Sequence, residues 1–440
     1  MRYSLFEVFL SNVDYKSIIL NKLRILEIFI QIFTMSATEV YRTIASMEPM
    51  LPDLQSAELA ELSQKATLAI GELNAHLPSS VVRDRVSQLV RKMNCYYSNL
   101  IEGHKTLPRD IEQAERQQLA EGPQEERDKQ LLAEAHIQTE TAMIDRLNSE
   151  EEVDVYSSEF ICWIHQTFFE LLPESMREAR TLSGETYRII PGQQRDFMVD
   201  VGRHTPPDHA ALPEFLERFR LIYGSANILA TQQLAAIAAA HHRLAWIHPF
   251  GDGNGRVIRL HSHALLHQHN LHGHGLWTLS RGLARNRHRY FNRLQAADQK
   301  RENDFDGRGN LSARQLSVFC LFFLETLLDQ VEFMNGLLNP KDLRTRIEKY
   351  FRYEALHLDR HQEAISTIVT TLAYEGEIPR ECVKTLTGKG ATTVASIIKQ
   401  GLSEGYFSSP SPKGVLQFAI SEKTWSSYFP QLFIDLPVDE

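Results

Sequence analysis

The sequence has few cysteines and no excess of basic residues. Its 440 residues include four cysteines, which are far apart and form no Cys-x-x-Cys pair. This spacing favours reduced thiols in a cytoplasmic protein over a disulfide framework. The formal net charge is −9, so the composition indicates neither a nucleic-acid footprint nor a polybasic membrane patch.

The sequence also has no long apolar run that is free of charge. Residues 1–34 are hydrophobic, but Lys22, Arg24 and Glu27 interrupt them, which argues against a transmembrane helix. The segment lacks the basic start, clean apolar core and cleavage site of a signal peptide. Because an ordinary polar pattern begins after Met35, we expect residues 1–35 to be a hydrophobic leader or an extension from an upstream start.

The most informative stretch is residues 248–259, with the sequence HPFGDGNGRVIR. The small residues Gly253, Asn254 and Gly255 let successive backbone N–H groups turn toward one point just before a helix begins, which makes an anion-binding nest. Arg256 and Arg259 are three residues apart, so both can reach phosphate oxygens from one side of that helix. The pattern therefore indicates a site for nucleotide phosphates.

Two titratable residues complete this stretch. Asp252 offers a single hard oxygen ligand, which suits Mg²⁺ (or Mn²⁺) because such an ion shares its shell with water and substrate phosphates. His248 titrates near neutrality, and we expect it to act as the general base. An alanine-rich stretch over residues 231–247 has a helical stripe and leads into the loop. The sequence thus predicts a helix, an anion-binding loop and a second helix.

A second motif, SNLIEG, occupies residues 98–103. It follows a predicted helix, and Gly103 is a plausible residue to end that helix. Glu102 would then lie in a last turn, where a carboxylate opposes the helix dipole. Because the helix dipole disfavours a carboxylate at this position, we expect another group to stabilise Glu102, such as a basic partner from elsewhere in the fold. The helix has one apolar face, formed by Val82, Val86, Leu89, Val90 and Met93.

The stretch at 248–259 resembles the Fic motif, HPFx(D/E)GNGRxxR, at every specified position. The resemblance covers roughly residues 80–320 and implies transfer of AMP from ATP to a Ser, Thr or Tyr hydroxyl of a protein, with release of pyrophosphate. It implies that His248 is the base, that Asp252 binds the metal, and that the nucleotide contacts Gly253, Asn254, Gly255, Arg256 and Arg259. The protein target could be the chain itself, and a homodimer stays open.

The segment around Glu102 resembles the inhibitory motif of Fic proteins whose inhibitory helix precedes the catalytic core. The resemblance implies that Ser98 and Glu102 are inhibitory and that Glu102 pairs with Arg259 to block the γ-phosphate. Some relatives use this glutamate to remove AMP, so a bifunctional or mainly de-AMPylating enzyme remains an alternative. Kinase-like transfer is a further alternative, although the intact Arg259 argues against it.

Two other segments resemble parts of the Fic core. Residues 195–207, named here the flap segment, alternate apolar and polar residues and predict a short hairpin. They resemble the Fic flap, which aligns the target by strand addition, although an ordinary hairpin is the alternative. Tyr290 stands where an aromatic residue lies near the nucleobase, with core packing as the competing role. The apolar positions of the flap segment are Phe197, Val199 and Val201.

Helical periodicity dominates the chain, so the fold class is predicted to be mainly α, a helical Fic fold with a small β-hairpin flap. We expect a helical region with the inhibitory motif at 36–129, the Fic core at 130–338 and a winged helix-turn-helix domain at 339–440. Its recognition helix over 391–402 contains one basic residue, Lys399. Docking, dimerisation or autoregulation is therefore favoured over DNA binding, although a winged-helix regulator without catalysis remains an alternative.

Six histidines crowd residues 261–274. His263 and His267 have the i, i+4 spacing of a two-ligand metal site, but no cysteine or HExxH glutamate completes a zinc set. We therefore expect surface or packed histidines rather than a metal centre.

Overall fold

The computed structural model describes residues 41–106, 111, 123–180, 186–202 and 204–434, with the side chains of 179 and 180 excepted. The expected leader at 1–35 lies outside these residues. Residues 42–440 belong to one structural unit. In the part that is described, no helix has both the length and the apolar character needed to cross a bilayer.

Two helices open the described chain, α1 (Ala57–His76) and α2 (Ser80–Ile101). The hydroxyl of Ser56 accepts a hydrogen bond from the backbone N–H of Leu59, which caps the first turn of α1. The apolar positions predicted to form one face of α2 are buried. This burial packs α2 against the rest of the fold, and Glu102 is the residue that caps its C-terminal end.

Eight further helices form the body of the fold, and α10 packs along α1, α6, α8 and α9. Helix α6 runs through the middle, because its many alanines let neighbouring helices approach closely and nearly every residue in it is buried. The helices are α3 (Gln124–Leu147), α4 (Ser158–Glu170), α5 (Leu212–Tyr223), α6 (Gln233–Ile247), α7 (Asn254–Gln268), α8 (Leu279–Arg285), α9 (Arg287–Ala297) and α10 (Ala313–Leu338).

Strand pairing near the centre of the chain is limited. Strands β1 (Glu178–Arg180) and β2 (Thr186–Arg188) form a short antiparallel pair. In the described part of the flap segment, the predicted hairpin is reduced to one isolated bridge between Val201 and His204. The physical reason is that the prolines at 206 and 207 have no N–H to donate to a longer ladder. The Arg195 side chain binds the carbonyls of Phe197 and Pro207 instead.

The C-terminal region contains helices followed by a small sheet of order β3-β5-β4, in which both pairings are antiparallel. Helix α12 and strand β5 pack against α2. With these elements the expectation of a mainly α fold is confirmed. The elements are α11 (Pro340–Tyr353), α12 (Gln362–Glu375), β3 (Glu377–Ile378), α13 (Cys382–Thr387), α14 (Ala391–Ser403), β4 (Phe407–Ser408), β5 (Leu416–Phe418) and α15 (Trp425–Tyr428).

Candidate active site

The candidate site is built on the loop that joins α6 to α7, residues 248–253, named here the motif loop. His248 ends α6 in the left-handed conformation, with φ 49° and ψ 63°, and its backbone N–H donates to the carbonyl of Leu244 at 3.1 Å. Gly253 has φ 77°, and a Cβ at this position would lie 2.6 Å from the ring of Phe169. Only glycine therefore fits this turn into α7.

Asn254 fixes the shape of the motif loop. Its side-chain oxygen accepts from the backbone N–H of Phe250 at 3.0 Å, and its amide donates to the Phe250 carbonyl at 2.8 Å. The Phe250 ring is fully buried and stacks on His165, with 4.0 Å between ring centroids. This aromatic contact anchors the loop to helix α4, so the polar residues around Phe250 keep a defined position.

Arg259 binds the end of helix α2. Its Nη2 donates to Oε1 of Glu102 at 2.6 Å and to the backbone carbonyl of Ser98 at 3.0 Å, and its Nε donates to the Ser98 hydroxyl at 3.0 Å. A Cβ on Gly255 would lie 2.3 Å from Oε1 of Glu102. The carboxylate therefore sits at the amino end of α7, the position predicted for phosphate oxygens.

The charges around this pair favour an ionised carboxylate. Desolvation opposes ionisation of Glu102, but Arg259 and Arg256 outweigh it and hold the pKa of Glu102 below its usual range. Arg256 is buried above the ring of Phe168, with 5.4 Å from the guanidinium carbon to the ring centroid. Its Nε has no hydrogen-bond partner among the described residues. This buried cation therefore has one donor that no described residue satisfies.

His248 lies in the same cavity. Burial of the ring, together with the charge of Arg195 and the neighbouring His204, lowers the pKa of His248 to about 3, and a backbone hydrogen bond with Ala245 and the charge of Glu102 only partly oppose this. The imidazole is therefore neutral near pH 7 and has a lone pair that can accept a proton.

The cavity has a volume of about 440 Å³, a size that suits a small-molecule ligand. Its lining residues come from the end of α2, the motif loop, α7, α9 and the flap segment, with a few from adjoining positions. Predicted site residues on its lining are Glu102, Val201, His248, Asn254, Gly255, Arg259 and Tyr290.

Asp252 lies at the surface next to this cavity. Its Oδ1 accepts from the backbone N–H of Gly253 at 2.7 Å, which holds the carboxylate in place. Among the described residues, no group of three or more His, Cys, Asp or Glu side chains could hold a metal ion. A single exposed carboxylate fits an ion such as Mg²⁺ whose remaining ligands are water and substrate phosphates.

Comparisons with known proteins point to one family. The Fic/DOC family model matches residues 155–266, which contain the motif loop and helix α7. Residues 155–266 are a domain of the Fic/DOC family. The match begins after Glu102, so it does not include the end of α2.

Curated relatives of the Fic domain include a protein adenylyltransferase Fic of Aedes aegypti, 29% identical over 136 residues, which are 31% of this chain and 26% of the relative. The protein of the same name from Drosophila erecta is 38% identical over 87 residues, which are 20% of this chain and 18% of the relative. The matched segments thus span about a quarter or less of these relatives.

Solved structures with a similar fold were also found. A Fic family protein from Desulfovibrio desulfuricans G20 has a TM-score of 0.49 at 16% identity, covering 83% of this chain and 97% of that chain. Fic-1 from C. elegans has a TM-score of 0.47 at 17% identity, covering 64% of this chain and 74% of that chain.

Tyr290 is buried in the core and also borders the cavity. Its hydroxyl forms a 2.8 Å hydrogen bond with Nε2 of His241, and only 3% of the residue is exposed. It nevertheless lies on the cavity wall. Core packing therefore sets the position of the ring that borders the cavity.

The flap residues lie at the edge of the Fic domain's cavity to different extents. Val201 is 39% exposed and lines the cavity. The Phe197 ring packs on Tyr187, with 4.3 Å between ring centroids, and Val199 is half-buried. The structure thus brings Val201 to the cavity, whereas Phe197 contacts the short sheet.

Three residues that position the motif loop were not identified from the sequence. His165 stacks under Phe250, and the Tyr187 hydroxyl donates to the carbonyl of Gly251. A Cβ on Gly251 would lie 2.6 Å from the Tyr187 ring, so this glycine is more than a spacer. The third residue is Arg195. All three lie more than fifty positions before the loop residue that they contact, and no local spacing signals such contacts.

The histidines after the motif are packed within the Fic domain and its border. Nε2 of His261 contacts the carbonyl of Val155 at 2.8 Å, and His263 contacts Thr278 at 3.1 Å. His267 and His272 stack with 4.2 Å between ring centroids. Burial lowers the pKa of His261 and that of His263 to about 4.

Proposed function

We propose that the chain is an autoinhibited protein adenylyltransferase that transfers AMP from ATP to a Ser, Thr or Tyr hydroxyl of a protein and releases pyrophosphate. The observation that carries this proposal is the seating of Glu102 against Arg259 and Gly255, in the same cavity as His248. A carboxylate held at a helix amino end by an arginine marks a phosphate position. The names of the curated relatives support the same reaction class.

The reaction follows from the charges of the cavity. The neutral imidazole of His248 takes the proton of the target hydroxyl as its oxygen attacks the α-phosphorus. The backbone N–H groups of Asn254 and Gly255 would donate to the charge that develops, and Arg256 would hold the β-phosphate. Asp252 would hold Mg²⁺ or Mn²⁺, which neutralises phosphate charge when it is bound.

Autoinhibition follows from the occupied guanidinium. Nε and Nη2 of Arg259 donate hydrogen bonds to Glu102 and to two oxygen atoms of Ser98. A γ-phosphate would need the same donors and would meet the carboxylate, so like charges would repel. ATP therefore seats productively only when α2 moves or Glu102 is removed.

Removal of AMP is a second candidate function of this cavity. The side chain of Glu102 is 31% exposed and its pKa is held below the usual range, so the ionised carboxylate could accept a proton from a water molecule. In this function Glu102 is a reagent as well as an inhibitor. Replacement of Glu102 would then abolish AMP removal while it raises AMP transfer.

The C-terminal region has the helix and strand order of a winged helix-turn-helix module, and we propose that it regulates α2 rather than binding DNA. The Tyr97 hydroxyl donates to the carbonyl of Leu432 at 3.2 Å and accepts from the N–H of Ile434 at 2.8 Å. The Tyr96 hydroxyl donates to the Ile434 carbonyl at 3.0 Å. Tyr97 and Tyr96 precede Glu102 by five and six residues on the same helix. Docking of a partner or a second copy at the module would therefore change the position of α2 and of Glu102.

The four cysteines in the described residues are free thiols. Reduced thiols of this kind suit the cytoplasm, where AMP transfer would find both ATP and protein targets. This location is part of the proposal.

The deciding experiment compares α-labelled with γ-labelled ATP in the presence of Mg²⁺. The chains are the wild type, Glu102→Gly and Glu102→Gly/His248→Ala. We expect only the α-label to reach protein, strongly in Glu102→Gly and not when His248 is also replaced. Transfer of the γ-label would mean a kinase-like reaction, and full transfer by the His248 variant would show that the base is wrongly assigned.

A further inference from the structure

Arg195 is a buried cation beside the motif loop whose hydrogen bonds all go to neutral oxygens. Only 4% of the residue is exposed. Its guanidinium forms no hydrogen bond to a carboxylate among the described residues, and Asp208 acts on it only through its charge. Burial of an arginine without a paired carboxylate is costly, so its position calls for a specific role.

The guanidinium joins three separate stretches of backbone. Nε donates to the carbonyl of His248 at 2.9 Å, Nη1 to that of Phe197 at 3.0 Å, and Nη2 to that of Pro207 at 2.6 Å. The backbone N–H of Arg195 also donates to the carbonyl of Pro249 at 2.9 Å. Both ends of the flap segment and the start of the motif loop thus meet at one side chain.

We propose that Arg195 is a positioning residue, which fixes the flap segment and the motif loop as one unit and so orients His248 toward the hydroxyl that the flap presents. The inference rests on the proposed function, because the flap would carry the target. Arg195 does not line the cavity, and its guanidinium hydrogen bonds go only to backbone carbonyls. Its effect therefore passes through His248 rather than through contact with ATP.

The geometry explains the conformation of His248. A left-handed residue other than glycine is strained and needs surrounding structure to hold it. The carbonyl of His248 is turned toward Arg195 by this conformation and accepts its Nε–H. Lysine could reach only one of the three carbonyls well, because its ammonium is a point donor without the planar fork of arginine.

The charge of Arg195 supplies a second, separable effect. After burial of the ring, Arg195 contributes most to lowering the pKa of His248. The other charged or titratable groups that face this ring are His204, Glu102, Arg259 and Asp298. Burial lowers the pKa of Arg195 itself to about 10, so it remains a cation at neutral pH.

The test uses Arg195→Lys, which keeps the charge, and Arg195→Gln, which removes it. The matched control is Arg177→Gln, since Arg177 also donates to backbone carbonyls, those of Leu172 and Glu170, but does not contact the motif loop. Protonation of His248 is followed by nitrogen chemical shifts in the whole chain labelled at histidine, and its signal is assigned by its loss in His248→Ala.

We expect His248 to protonate at a pH higher by about one unit in Arg195→Gln, and at the wild-type pH in Arg195→Lys and Arg177→Gln. In the Glu102→Gly background, both Arg195 variants should lower kcat for AMP transfer by about ten- to a hundredfold, because the base is misplaced. KM for ATP should stay near that of the parent, since Arg195 does not line the cavity.

Wild-type kcat in both Arg195 variants would overturn the proposal, whereas unchanged protonation of His248 in Arg195→Gln would overturn the charge effect alone. A loss of kcat matched by Arg177→Gln would also overturn the proposal, because that loss would be a general effect of removing backbone contacts. If the parent Glu102→Gly transfers no AMP, the proposed function fails, and the nitrogen shifts of His248 at neutral pH then decide the positioning role. They should move in Arg195→Lys as well as in Arg195→Gln, and wild-type shifts in Arg195→Lys would overturn it.

Discussion

Oε1 of Glu102 lies 2.6 Å from Nη2 of Arg259, although the two residues are separated by 157 positions in the chain. The pair links the last turn of α2 to the first turns of α7. Because Gly255 has no side chain, the carboxylate can lie directly against the amino end of α7. This contact therefore depends on a glycine as much as on two charges.

Replacement of Glu102 by glycine should raise AMP transfer by roughly tenfold or somewhat more. A hydrogen bond between charged groups contributes about 1.5–3 kcal/mol. Because Glu102 is partly exposed, solvent screens its bond with Arg259, and we expect a contribution near the lower end of this range. The measurement is the initial rate of α-label transfer to protein. The control is Glu150→Gly, an exposed position in the loop after α3, and a rate equal to that control would contradict autoinhibition.

Replacement of Ser98 by alanine should raise transfer less than replacement of Glu102. The variant removes the hydroxyl that accepts from Nε of Arg259 but keeps the backbone carbonyl that accepts from Nη2. Loss of this one contact should weaken the hold on Arg259 by about 1 kcal/mol, or roughly fivefold. Initial rates at saturating ATP measure it, and a rate above that of Glu102→Gly would show that Ser98 has another role.

Replacement of Tyr97 by phenylalanine should raise transfer by severalfold if the C-terminal region restrains α2. The ring remains in place, but the hydrogen bonds of the hydroxyl with Leu432 and Ile434 are lost. Each of these hydrogen bonds should stabilise the contact with α2 by about 1 kcal/mol. Transfer by the whole chain is the readout. Tyr223→Phe is the control, because it also removes a buried hydroxyl bond to a carbonyl, that of Met50, away from α2. Equal rates of AMP transfer in the two variants would argue against regulation of α2 by the C-terminal region.

Stability should fall when the pH is lowered from about 7.5 to about 5.5. Histidines whose folded pKa is depressed stay neutral in the native state, while the unfolded chain binds protons below about pH 6.5, so each can cost up to about 1.4 kcal/mol at pH 5.5. Glu140, whose pKa burial raises to about 7, acts in the opposite direction and offsets part of the loss. Burial lowers the pKa of five histidines to about 3 or 4, those of His165, His248, His261, His263 and His272, and it holds the pKa of His136 and that of His241 well below the usual range.

Urea denaturation followed by tryptophan fluorescence at the two pH values measures this effect. The midpoint should move to lower urea at the lower pH. An unchanged or higher midpoint would mean that the buried histidines accept protons in the folded state and that His248 is not held neutral.

Local chemistry made the motif loop readable from the sequence. The order of helix, loop and helix and the spacing of Arg256 and Arg259 follow from neighbouring residues, whereas α7 starts at Asn254, so Asn254 and Gly255 belong to the helix and not to the turn before it. The buried face of α2 could be predicted for the same reason, because helical spacing is a local property. The flap segment was harder to predict, because alternation does not show that Arg195 binds the carbonyls of Phe197 and Pro207.

The motif loop, the mainly helical fold and the residues with the chemistry to bind phosphate can be predicted from the sequence, because they depend on short spacings along the chain. Which distant groups meet is a property of the folded chain, in which Glu102 lies against Gly255, His165 stacks on Phe250, and Ile434 binds Tyr97. The physical reason is that such contacts depend on how packed helices are oriented in space, which no local pattern encodes.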